Sequence, residues 1–210
     1  MPALILLILE LIGTIAFAVS GAMRALRKGM DLFGVLMLGL TTAVGGGILR
    51  DLVLGLTPPS AFRDPVYAAA AIVVALIVFL PAVRHFFEKR QKLYDITLLL
   101  MDSVGLGIFT VVGIKTAYDM MSDASIFLLL FVGVVTGVGG GVLRDVMAVT
   151  MPDIFVKHFY ATASLLGALL CVLTWNWLGE TGAMLLGMGL VFVLRLCAAH
   201  FRWNLPRASE

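Results

Sequence analysis

One octapeptide occurs twice in this chain, each time inside a long apolar stretch. Val44-Gly45-Gly46-Gly47-Ile48-Leu49-Arg50-Asp51 returns as Val138-Gly139-Gly140-Gly141-Val142-Leu143-Arg144-Asp145, with seven of eight positions identical. Three consecutive glycines weaken a helix, and lipid offers the freed backbone groups no replacement hydrogen bonds. The pattern therefore predicts two helices broken within the membrane, each lining a protein-enclosed cavity. At about 1.5 Å per residue, Gly45 lies roughly 20 Å into a helix that begins at Leu32, so the predicted break is inside the bilayer.

Composition agrees with a membrane setting: 61% of residues are hydrophobic, 13% are charged and the mean hydropathy is +1.06. Soluble domains carry about twice that charged fraction. Seven apolar runs are long enough to cross a hydrocarbon core about 30 Å thick. They cover residues 3–23, 32–56, 65–83, 95–114, 124–149, 157–177 and 181–200. The first has no basic leader and carries Glu10 within the run, so it reads as a span and not as a cleaved signal. A net charge of +2 gives no footing for nucleic acid. Cys171 and Cys197 read as buried hydrophobes. His85, His158 and His200 lack metal-ligand spacing, and the triple glycine lacks the Lys-Ser/Thr of a phosphate loop, so neither a metal nor a cofactor is expected. No catalytic motif is visible.

With the N-terminus outside, twelve of the fifteen Lys and Arg residues fall in cytoplasmic segments. These are Arg24, Arg27 and Lys28; Arg84, Lys89, Arg90 and Lys92; Arg144 and Lys157; and Arg195, Arg202 and Arg207. The positive-inside rule then places the C-terminus in the cytoplasm of a multi-pass plasma-membrane protein. The octapeptide offset of 94 also pairs Thr42 with Thr136 and Pro58 with Pro152. An offset of 92 pairs Glu10 with Asp102, Gly13 with Gly105, Phe17 with Phe109, and Gly21 with Gly113. One unit is thus three spans, and an odd number of spans inverts the second copy. The expected fold is all-α: two inverted three-helix repeats, 1–92 and 93–178, then a seventh helix and short tail, 179–210, with the second and fifth spans broken at Gly-Gly-Gly.

Candidate permeation residues follow from the motif and from buried polarity. They are Gly45, Gly46, Gly47, Arg50 and Asp51, their mates Gly139, Gly140, Gly141, Arg144 and Asp145, and Thr42 and Thr136. Intramembrane charge is costly and usually faces a bundle interior, which adds Glu10, Asp102, Ser103 and, as a candidate gate, Lys115. Each Arg-Asp unit either contacts permeant ions or forms a satisfied pair that locks the helix. Glu10 and Asp102 either line a path or pair with Arg50 and Arg144. The threonine hydroxyls line a cavity or bond back to the preceding turn. Gly133 and Gly137 form a close-packing pair.

The duplicated G-G-G-x-L-R-D in a three-plus-three-plus-one chain resembles the bacterial branch of the trimeric intracellular cation (TRIC) channel family, also catalogued as a glycine-transporter domain. That resemblance implies a homotrimer with one pore per subunit, bounded by the second and fifth helices and conducting potassium and some sodium; bound lipid between subunits is a separate expectation for a membrane protein of this kind. It also suggests Lys115 as the counterpart of a basic gating residue. The alternative is a secondary transporter for a small zwitterion such as glycine, since inverted repeats with paired charges suit both.

Overall fold

The computed structural model describes residues 3–121, 123–156 and 159–203. Lys157 and Arg207, used in the charge count, and His158 lie outside the described residues. Among those described there are nine helices and no strands: α1 (Ala3–Arg27), α2 (Leu32–Val53), α3 (Ser60–Arg63), α4 (Val66–Phe79), α5 (Pro81–Glu88), α6 (Gln91–Met120), α7 (Ile126–Met147), α8 (Asp153–Val156) and α9 (Tyr160–Phe201). Five of them, α1, α2, α6, α7 and α9, are long and apolar enough to cross a membrane, and α4 with α5 forms a further segment bent by 62°. The bend falls at Leu80-Pro81, where proline cannot donate to the preceding turn.

Helix α9 has 42 residues, about 63 Å if straight and far more than one crossing needs. It is not straight. Gly179 adopts φ 68° and ψ 170°, and the arms 160–178 and 180–201 fold back on each other. A methyl group on Gly167 would lie 2.8 Å from the Gly187 carbonyl oxygen, and one on Gly187 would lie 2.9 Å from that of Gly167. Glycine at both positions lets the arms touch backbone to backbone.

The repeat relation governs helix ends as well as interiors. Asp31 caps α2 through the N–H of Gly34 at 2.8 Å, and Ser125, its mate at offset 94, caps α7 through Leu128 at 3.2 Å. Both helices then end in the same turn. The Leu56 N–H reaches the Asp51 carbonyl at 2.7 Å, and the Thr150 N–H reaches that of Asp145 at 2.9 Å. The left-handed residue of that turn is Gly55 (φ 72°) in one copy and Val149 (φ 51°) in the other.

The expected breaks at the glycine triplets are not present. Helices α2 and α7 run unbroken from Leu32 to Val53 and from Ile126 to Met147. The glycines serve approach instead of interruption. A methyl group on Gly46 would lie 2.2 Å from the Thr136 carbonyl oxygen, and one on Gly140 would lie 2.1 Å from that of Thr42. The same reciprocity places Leu143 against Gly45 and Leu49 against Gly139. Each helix keeps its own hydrogen bonds while its bare backbone meets the other's at the pseudo-two-fold point. One layer away, Phe17 packs into the space left by Gly105 and Phe109 into that left by Gly13, with ring centroids 5.2 Å apart.

Candidate functional site

Two cavities flank this crossing. The first is about 50 Å³, floored by Phe109 and walled by Glu10, Gly47, Arg50, Ser60 and Tyr67. The second is about 310 Å³ and is bounded by Arg27, Asp95, Asp102, Arg144, Asp153 and Arg195. Helix α1 passes Glu10 at the first cavity and Arg27 at the second, about 26 Å apart along a helix. The cavities therefore lie toward opposite ends of the bundle. Phe17, Ala18, Ala43, Ala71 and Phe109 form an apolar cluster between them.

At the first cavity, α2 turns Arg50 and Asp51 inward one turn before its end. Arg50 Nε donates to Asp51 Oδ1 at 2.8 Å, and Arg50 Nη2 donates to Ser60 Oγ at 3.1 Å. Asp51 Oδ2 accepts the backbone N–H and the hydroxyl of Ser60, both at 2.6 Å, which ties the α2–α3 loop back onto the helix end. Glu10 accepts from the Tyr67 hydroxyl at 2.5 Å. No ion pair to Glu10 occurs among the described residues, while Arg50 is already neutralised by Asp51. This cavity therefore carries one carboxylate in excess.

The second cavity repeats the motif within a denser network. Arg144 donates to Asp145 through Nε at 2.9 Å and Nη2 at 3.0 Å, and through Nη1 to Asp102 at 2.5 Å and Ser20 at 2.6 Å. Asp145 Oδ2 accepts the Asp153 backbone N–H at 2.9 Å, the counterpart of the Asp51–Ser60 tie. Arg24 reaches Asp153 at 3.0 Å and Asp145 at 3.4 Å, and Arg195 approaches Asp102 at 3.8 Å. Three arginines thus face three aspartates in a buried, formally neutral cluster. Arg195 is only 3% exposed. It turns inward to Asp102 and does not snorkel outward, as its place near a span end suggests.

The other candidates disperse. Thr42 and Thr136 are fully buried at the crossing, and their hydroxyls donate to Leu38 and Val132 carbonyls, each at 2.6 Å. That is the back-bonding alternative. Ser103 borders a separate, nearly all-apolar cavity between α6 and α9 with Ile108, Met188 and Phe192. Lys115 sits in the last third of α6, bonded to Asp119 and, at 2.7 Å, to Glu180. Asp102 joins Arg144, whereas Glu10 takes Tyr67 in place of Arg50.

Sequence reasoning missed Ser60, Tyr67, Asp153 and Tyr160. A signal for the two tyrosines existed: allowing one residue of slip after Pro58 and Pro152 pairs Tyr67 with Tyr160 at offset 93.

The chain matches the family described as glycine transporter over residues 7–82 and 99–176. It is 36% identical over 200 residues to the UPF0126 inner membrane protein YadS of Escherichia coli K12, spanning 94% of this chain and 92% of the relative. A structure from work on conductance through TRIC cation channels is 37% identical, with a TM-score of 0.84 over 97% of each chain. The TRIC trimeric intracellular cation channel orthologue from Rhodobacter sphaeroides is 35% identical, with a TM-score of 0.85 over 94% of this chain and 98% of that one.

Proposed function

The chain belongs to the glycine-transporter (UPF0126) membrane family, whose solved members are TRIC channels, and from that premise we propose that it is a monovalent-cation channel, potassium-permeable, with one path per subunit. Ion channels of this kind are not enzymes. The observation that carries the reading is the pair of polar cavities toward opposite ends of the bundle, on either side of the α2–α7 glycine crossing. The path runs from Glu10 past Gly47 and beside the crossing to Arg144 and Asp102.

Selection for cations follows from charge. The second cavity is formally neutral, while the first holds one carboxylate beyond its arginine. A monovalent cation about 6 Å from such a carboxylate gains roughly 3 kcal/mol at an effective dielectric of about 20, and an anion loses as much. The apolar cluster around Phe17 and Phe109 separates the cavities, so the conformation described is closed.

The protein is a bacterial inner-membrane channel with seven crossings, α9 supplying two of them. The Lys and Arg placement puts the N-terminus and the first cavity outside and the C-terminus inside. The repeats divide at 1–92 and 93–178 with 179–210 appended, and three copies associate as the trimeric relatives do. Purified protein in liposomes tests the function: valinomycin-independent potassium efflux down a gradient is expected. Electrically silent liposomes with saturable glycine uptake would replace the channel with a zwitterion carrier.

A further inference from the structure

The two repeats correspond closely at the crossing, the helix caps and the Arg-Asp units. They part at the third glycine of each triplet. Beside Gly47 the space is open: the nearest atom to a methyl group there is Arg50 Nη2 at 3.9 Å, and the first cavity reaches Gly47 itself. Beside Gly141 the same space holds the Tyr160 hydroxyl, 3.0 Å from where a methyl group would sit. The second cavity accordingly stops at Asp102 and Arg144, short of Gly141.

Tyr67 and Tyr160 both stand at the start of the third long helix of their repeat. Tyr67 is held away from its glycine by Glu10, at 2.5 Å. Asp102, the mate of Glu10, is instead taken by Arg144 at 2.5 Å. The Tyr160 hydroxyl, although in the field of Asp102, is left buried without a well-formed hydrogen bond. Its surroundings are also filled in. Leu106 stands where the first repeat has Thr14, and Ile154 where it has the smaller Ala61. Leu106, Val138, Tyr160, Ala163 and Val191 make a closed apolar cluster with Ile154 packed against it. The Arg195 guanidinium lies 4.5 Å over the Tyr160 ring, from the second arm of α9.

We infer that Tyr160 is the plug of the route at the second cavity, seated in the recess of Gly141 and latched by Arg195, and that Tyr67 on Glu10 displays the withdrawn position of the same device. The inference rests on the channel reading above. A buried hydroxyl without a well-formed hydrogen bond carries a desolvation penalty, so the seated state is held by packing and by the Arg195 contact and is poised for release. Opening swings Tyr160 out of the recess and joins the second cavity to Gly141, as the first already joins Gly47. Arg195 can hold the ring by cation–π contact while its charge stays near Asp102.

The test uses full-length protein in a Cys171→Ala, Cys197→Ala background with Ala163→Cys as reporter, comparing Tyr160→Ala, Tyr160→Phe, Gly141→Ala and Tyr67→Ala. Gly141→Ala crowds the hydroxyl in its seat without altering the tyrosine, so it preserves the test if Tyr160→Ala fails to assemble. Two readouts are taken: single-channel open probability, and the rate at which a charged thiosulfonate modifies the reporter thiol. Tyr160→Ala and Gly141→Ala are expected to raise both by about tenfold, equivalent to a shift of about 1.4 kcal/mol between closed and open states. Tyr160→Phe should raise them less, and Tyr67→Ala should leave the reporter thiol reacting at the parental rate. A conducting parent with both quantities unchanged in Tyr160→Ala and Gly141→Ala overturns the plug and spares the channel. A silent parent whose reporter thiol is nevertheless exposed by those variants overturns the channel and spares the plug.

Discussion

Arg144 Nη1 lies 2.5 Å from Asp102 Oδ1, joining the end of α7 to the middle third of α6 through a pair that is all but sealed from solvent. Removing one member of a buried pair strands the other's charge, at a cost of about 3–5 kcal/mol. Asp102→Ala is therefore expected to destabilise the protein by that amount, read as a lowered midpoint in thermal unfolding in detergent. Asp51→Ala should also destabilise, through loss of both the Arg50 pair and the Ser60 tie.

The three glycines of a triplet are chemically identical and should behave differently. Gly140→Ala places a methyl group 2.1 Å from the Thr42 carbonyl oxygen, and Gly46→Ala places one 2.2 Å from that of Thr136. Neither backbone can yield without separating α2 from α7, so both variants should lose well over the 1–3 kcal/mol typical of overpacking, or fail to assemble. Gly47→Ala meets nothing closer than 3.9 Å and should retain the parental unfolding midpoint. Equal tolerance of all three substitutions would contradict the crossing.

This contrast also marks what the sequence could and could not say. The duplicated octapeptide and its offsets predict an inverted pair of three-helix units and pair Arg50-Asp51 with Arg144-Asp145, which the structure sets at matching helix ends. A run of glycines has two physical readings, a weakened helix or a surface that admits a close neighbour. Choosing between them requires knowing what lies opposite, which for Gly46 is a residue ninety positions away. The aspartate ties are made to Ser60 and Asp153, the first residues of two single-turn helices too short to show any periodicity. Arg195 looks like a span-end residue until Asp102 is seen across the bundle. The tyrosine pair is hidden by a single-residue slip between the repeats.

Val149 holds a left-handed turn with φ 51°, at the position where the first repeat has Gly55. A β-branched residue there costs on the order of 1–3 kcal/mol. Val149 is 87% exposed, so little packing offsets the strain. Val149→Gly is expected to raise stability by about 1 kcal/mol, and Gly55→Val to lower it by a similar amount. Chemical denaturation of the two variants beside the parent checks both signs.

Glu10 supplies the unpaired carboxylate of the first cavity. Glu10→Gln keeps the shape and the contact with Tyr67 but removes the charge. Unitary cation conductance should fall by about two- to tenfold at low salt and recover as ionic strength rises, because the effect is electrostatic. A conductance independent of this substitution would place the ion route elsewhere.

The most direct test of a cation path through each subunit is the reversal potential of unitary currents from the purified protein in a planar bilayer under a tenfold potassium chloride gradient. A reversal near the potassium potential, about 59 mV from zero on the side that cation selectivity requires, is the result expected. Reversal near zero or toward the chloride potential, or no unitary current at all, would contradict it.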